Sequence, residues 1–200
     1  MSTDFPDAAT VRTVLALARR APSVHNSQPW RWRVGESSLH LYADPAGHLP
    51  HTDPDRRDFM LSCGAALHHR VIGLAASGWQ ATVHRLPNPA QPDHLAALEV
   101  HQHRAGQLDI QLAAAIPQRR TDRRHYSWWP VSVADLQVIS ARAARAGLIL
   151  RRLESLPALR YLVAQAAWRH ATDADYQSEL ASKASRLCGQ NPVWAVRPSG

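Results

Sequence analysis

Lysine is almost absent from this 200-residue chain. It occurs once, at Lys183, so the 23 basic residues are otherwise arginine, set against 16 acidic ones for a net charge of +7. Such an excess suits a phosphate-bearing ligand, although arginine standing in for lysine on a solvated surface, as genomic base composition dictates, accounts better for the net charge taken alone. Cysteine is scarce too. Cys63 and Cys188 have no motif spacing, and Cys63 falls in an apolar helical stretch where a small thiol packs as a hydrophobe, so no disulfide framework is implied. Also missing is any apolar run near the roughly 20 residues that span a bilayer. The opening MSTDFPDAAT lacks the basic and apolar regions of a signal peptide, and a cytoplasmic chain without a membrane partner is the expectation. What remains, 45% hydrophobic and 20% charged residues, is the makeup of a folding globular chain of about one to one and a half domains.

The pattern of apolar residues predicts a helix over 7–20, with Asp7 as N-cap and Val11, Val14, Leu15 and Ala18 on one face, stopped at Ala21 because Pro22 disfavours helical geometry before it. Trp30 to Val34 and Leu39 to Tyr42 alternate as two strands of a hairpin joined at residues 35–38. A long core helix over about 56–77 follows, capped by Asp53 or Asp55, with Phe59, Cys63, Ala66, Leu67, Val71, Leu74 and Ala75 on its apolar face and Gly78 suited to a left-handed end. Residues 80–86 and 95–101 read as strands. From Gln107 onward helices dominate: one to Ile116, one opening at Ser132 with Asp135 as its capping partner, and one over Leu156 to His170. Residues 182–200 lose helical periodicity and read as an irregular tail.

Two segments stand out chemically. The first is APSVHNSQPWRW, Ala21 to Trp32, which sets short polar side chains and free backbone groups between a helix and a strand. Such a loop can hydrogen-bond a planar heterocycle or its polyol chain, and equally it can be a proline-rich turn that satisfies only itself. The second is QRRTDRRHYSWWP, where Arg119, Thr121 and Arg123 alternate. Guanidinium groups flanking a hydroxyl give bidentate, charge-assisted bonds to a phosphate monoester. Taken alone, these residues favour a solvated basic linker instead.

A resemblance connects the two segments. APSVHNSQPW resembles the FMN-contacting loop of the nitroreductase superfamily, and the hairpin and the helix RRDFMLSCGAALHHRVIGLAASGW are similar to that family as well. More narrowly, roughly residues 8–180 resemble the Acg-type branch, in which two nitroreductase-like halves are fused. The resemblance implies an α+β nitroreductase-like fold with a first half over 1–106 complete, a partial and mostly helical second half over 107–181, and a tail over 182–200, as if the second half were cut short. It implies FMN as cofactor with NAD(P)H as co-substrate. Pro22, Ser23 and Asn26 would touch ribityl and ring, Val24 would do so through its backbone, Gln28 would support the loop and His25 would make a further cofactor contact. Arg119, Thr121 and Arg123 would hold the phosphate.

The readings of function that follow are an oxidoreductase reducing a small nitroaromatic or quinone-like acceptor, a flavin-binding or storing protein with little turnover, and a non-functional remnant. Nucleic-acid binding, suggested by Trp128 and Trp129 beside the basic run, matches no known module and is not expected. A homo-oligomer would cover the incomplete second half. No catalytic residue is assigned, since Ser23, His25 and Asp44 form no triad and a flavin carries its own chemistry. No metal is expected: among the 12 histidines, His101 with His103 and His68 with His69 give pairs without a third ligand.

Overall fold

The computed structural model describes residues 5–122, 129–153 and 156–189, and it divides the chain into two units. The first holds residues up to Arg119 together with the described residues from Ala174 onward, and the second runs from Arg120 to Asp173.

In the first unit, α1 (Ala8–Ala18) starts where the Asp7 carboxylate accepts a hydrogen bond from Thr10 N at 2.7 Å, and it buries Val11, Val14 and Ala18. That burial stripe is the 3.6-residue periodicity made physical. β1 (Trp30–Val34) and β2 (Ser38–Ala43) form the expected hairpin, and β3 (Trp79–Arg85) and β4 (His94–Gln102) pair to complete an antiparallel sheet of order β1-β2-β4-β3. Because side chains alternate between faces, the register Trp30 with Ala43, Leu39 with Leu98 and Leu41 with Ala96 sets one apolar face against the core helix. The opposite face carries Arg33 paired with His40 and Arg31 paired with Tyr42.

The core helix α2 (Arg57–Ala76) packs against this sheet, against α1 and against α3 (Gln107–Ala115). Its N-cap position is Arg56, left-handed at φ 60°, and not Asp53 or Asp55 as expected; from further ahead the Asp53 carboxylate accepts from Asp58 N at 3.0 Å and Phe59 N at 2.7 Å, while Asp55 accepts from Arg57 N. Gly78, at φ 85°, closes the other end in the left-handed region. Gly73 is a point of close approach, since a Cβ there would stand 3.1 Å from Val14 Cγ1 on α1. By length and composition α2 could cross a membrane, but half of it is buried here as the core helix.

Two further expectations need correction. The apolar face assigned to α2 is too narrow: Leu67, Val71 and Ala75 are only partly buried, whereas Ser62, His69 and Arg70 are buried. A helix covered by the sheet, α1 and α3 keeps only a narrow exposed face, so periodicity understates what it hides. Helix α3 packs on α2, and Ile116 is buried in the first unit. The stretch 182–189 is not irregular; α6 (Ala174–Gly189) runs through it. Leu180, Ala184, Leu187 and Cys188 recur there at helical spacing, a short apolar stripe among polar residues. Glu179 on α6 accepts from Thr52 N at 2.8 Å and Thr52 Oγ1 at 2.7 Å, within the first unit. Residues 190–200 lie outside the described residues.

The second unit contains α4 (Val133–Arg145) and α5 (Leu156–Thr172). Ser132 caps α4 as its spacing predicts, accepting from Asp135 N at 3.1 Å and donating to the Asp135 carboxylate at 2.7 Å. The apolar side chains of both helices are largely exposed, among them Ile139, Leu162, Val163 and Trp168.

Candidate functional site

The loop between α1 and β1 is held from several sides. After buried Ala21, Ser23 is extended, Val24–Asn26 make a single 3-10 turn, and His25, Asn26 and Gln28 take φ of 44°, 55° and 48°. Left-handed backbone costs a residue with a Cβ on the order of 1 kcal/mol or more, and glycine is the usual occupant. Three such residues in four positions persist only where surrounding bonds hold them, and strain of this kind collects at ligand-contacting loops.

The restraints can be named. Inside the loop, Ser23 Oγ accepts from Gln28 N at 3.0 Å, Asn26 N donates to Ser23 O and Ser27 N donates to Val24 O. From α2, Ser62 Oγ accepts from Val24 N at 3.1 Å while donating to Asp58 O at 2.6 Å, and the Cys63 thiol donates to Pro29 O at 3.2 Å. From the far side, Asp44 N donates to Pro29 O, and Gly47 approaches so closely that a Cβ would stand 2.7 Å from Pro29 Cα. Burial pushes the Cys63 thiol up to about 12, which makes it a structural donor and not a nucleophile.

Held this way, the loop presents Pro22, His25 and Asn26 to solvent, with Ser23, Val24 and Gln28 half-buried behind them. The hydroxyl of Ser23, used as acceptor by Gln28 N, still has its proton to donate. Ser27 Oγ is buried and has no partner among the described residues. The amide of Val24 is committed to Ser62, so a backbone contact from Val24 to a ligand would have to come from its carbonyl.

Of the basic segment, Arg119 is brought to the entry of this loop. Arg119 Nη2 donates to Arg20 O at 3.2 Å, and Arg20 Nη2 donates to Pro117 O at 2.9 Å, so the end of α1 and the turn after α3 are tied together. Thr121 belongs to the second unit, and Arg123 and Trp128 lie outside the described residues. Sequence reasoning did not find Ser62, Cys63 or Gly47 as supports of the loop. A lone polar or small residue in an apolar helix or a turn carries no spacing signal; only contact reveals it.

A second polar cluster lies on the opposite face of the sheet. Ser38 Oγ and His40 Nε2 are 2.9 Å apart, His40 Nδ1 and His94 Nε2 are 3.1 Å apart, and Tyr42 stacks on His94 with ring centroids at 4.5 Å. Burial, then His94 and Arg33, depresses the pKa of His40. Each of these groups has a partner within the cluster. Among the described residues no group of three or more His, Cys, Asp or Glu side chains could hold a metal ion.

No family model matches the chain. Among curated proteins, it is 55% identical over 180 residues to "Putative NAD(P)H nitroreductase Rv3131" of Mycobacterium tuberculosis, a match covering 90% of this chain and 52% of that protein. It is 46% identical over 121 residues to "Uncharacterized protein Rv3127" and 42% identical over 114 residues to "Putative NAD(P)H nitroreductase acg" of the same organism; each match covers 56% of this chain and 34% of the relative. The chain thus spans about half the length of the first of these relatives. Among solved structures, a nitroreductase family protein from Streptococcus pneumoniae overlaps 68% of this chain and 90% of its own at a TM-score of 0.39 and 14% identity.

Proposed function

We propose, from its similarity to "Putative NAD(P)H nitroreductase Rv3131" and "Putative NAD(P)H nitroreductase acg", that the chain is an FMN-binding oxidoreductase of the Acg-type branch in which the loop over residues 22–28 cradles the cofactor. The observation that carries the reading is the held left-handed backbone at His25, Asn26 and Gln28, a strained conformation kept in place by bonds from α2 and from the turn at Gly47. The residues fit the group: an available Ser23 proton, a solvent-facing Asn26 carboxamide and an unpartnered buried Ser27 hydroxyl offer donors and acceptors along one short curve.

In this reading Pro22, Ser23, His25 and Asn26 would hold the ring and polyol chain of the cofactor, and Gln28 and Val24 would keep the loop in shape. Arg119, tied to Arg20 at the entry of the loop, would neutralise the phosphate through charge-assisted bonds, the role that the resemblance also implies for Thr121 and Arg123. Bound flavin supplies the hydride chemistry, with NAD(P)H as reductant and a small nitroaromatic or quinone-like acceptor. The protein's part is positioning. No acid, base or nucleophile is needed from Cys63, whose thiol stays protonated.

The exposed apolar side chains of α4 and α5 support self-association as the partner relation of the chain. The test of the functional reading is the absorbance spectrum of purified protein before and after excess FMN, followed by NAD(P)H. Retained flavin absorbance that NAD(P)H bleaches is expected. Protein that neither carries nor takes up flavin would refute the reading, and flavin retained without steady-state NAD(P)H oxidation would replace it with a storage role.

A further inference from the structure

Arg70, on the core helix α2, has no exposed surface, and among the described residues its Nε, Nη1 and Nη2 have no hydrogen-bond partner. Beside it, on the edge strand β1, Trp32 has a buried indole Nε1 that is likewise unpartnered. The two meet directly: Arg70 Cζ lies 4.7 Å from the centroid of a Trp32 ring. A cation–π contact of this kind offsets only part of what it costs to strip water from an unpaired guanidinium. Loss of the proton is no escape, because burial lowers the Arg70 pKa only to about 9 and leaves the group charged at neutral pH.

Every polar atom left unpaired at this place is a donor. A guanidinium carries five N–H groups and no acceptor, and an indole carries one N–H and no acceptor. The missing chemistry is therefore lone pairs with negative charge, and the flat fork of a guanidinium is matched by a flat oxyanion. Complete burial rules out a large ligand. Trp32, half-buried on the edge strand and in contact with Arg70, reaches solvent and so offers a route in.

We propose that Arg70 and Trp32 form an internal receptor for one small planar oxyanion of the carboxylate or nitrate type, separate from the loop at residues 22–28. The anion completes the hydrogen bonds of both side chains and neutralises the buried charge, so it acts as a structural ligand of the first unit. It is taken up during folding or through movement of Trp32.

The test is thermal unfolding of the full chain in sodium formate, nitrate and chloride at equal ionic strength, for the wild type, Arg70→Met, Arg70→Lys and Trp32→Phe. Linkage predicts a Tm rise of roughly 5 to 10 °C once formate or nitrate reaches about a hundred times its dissociation constant. Spherical chloride should give less. Arg70→Met should show no difference between the salts. Trp32→Phe, which loses only one N–H donor, should need about tenfold more anion for the same rise. If Arg70→Met does not fold, Arg70→Lys, which keeps the charge and loses the fork, should respond less to formate than the wild type does. A wild type indifferent to the anion, or an Arg70 variant with the same response as the wild type, would overturn the proposal.

Discussion

In the first unit the apolar side chains of α1, α2 and the sheet close over one another, leaving Val14, Ala66, Leu39 and Leu98 fully buried, whereas in the second unit α4 and α5 expose Ile139 by 50%, Leu162 by 58% and Trp168 by 67%. Both regions obey the same local rules. Asp7 caps α1, and Ser132 with Asp135 caps α4, with comparable hydrogen bonds. The difference lies one level up: local rules suffice to start and stop a helix, and an amphipathic pattern says which face seeks cover, but neither supplies the cover. Free energy of burial therefore concentrates in the first unit.

The contrast breaks most visibly through the core. Phe59, beneath the Asp53 carboxylate and fully buried, should cost about 3–5 kcal/mol when cut to Ala, read as a lower urea midpoint. Asp53→Ala should cost about 1–2 kcal/mol, since it unpairs two amides at the start of α2. Burial alone would raise the Asp53 pKa, but the amides of Asp58 and Phe59 hold the carboxyl below its ordinary 3.8. Its contribution is thus fully present above pH 3.8 and lost as pH falls through the lower folded value, so the penalty of Asp53→Asn should vanish in strong acid.

A second pH window lies higher. Burial depresses His69 and His40 below the ordinary 6.5, so the unfolded chain takes up protons first and stability should fall as pH drops below 6.5. Tm measured from pH 7.5 down to about 5 checks this, and His69→Gln should give a shallower slope. Smaller still, His25→Gly should raise stability by about 0.5–1 kcal/mol by relieving left-handed strain, and in a flavin-binding protein it should weaken FMN retention at the same time. The least effect belongs to the second unit: Leu162→Ala on α5 should change the unfolding free energy of the monomer by no more than about 0.5 kcal/mol. A penalty as large as that of Phe59→Ala would mean that α5 is covered in solution, and sedimentation would show by what.

These comparisons also explain how far the sequence could be read. The hairpin, α1, α2 and the caps at Asp7 and Ser132 were legible because their signals are local: alternation, 3.6-residue spacing, and a short polar side chain ahead of an apolar run. The pairing of β3 with β4 and the packing of α3 on α2 are long-range choices that no spacing records. Helix α6 was missed although Leu180, Ala184, Leu187 and Cys188 keep helical spacing, because that stripe is short and set among polar residues. At the candidate site, the loop was legible as a motif, while its supports Ser62, Cys63 and Gly47 were not, and Arg70 looked like any arginine on a helix until its surroundings were known.

The central claim is that the loop over residues 22–28, with Arg119 at its entry, holds FMN. Its most direct test is titration of FMN fluorescence with the full chain and with Asn26→Ala and Arg119→Ala. Saturable quenching by the wild type, shifted at least about tenfold to higher protein concentration in each variant, is the predicted result. Quenching that both variants reproduce unchanged, or no quenching by a folded wild type, would contradict it.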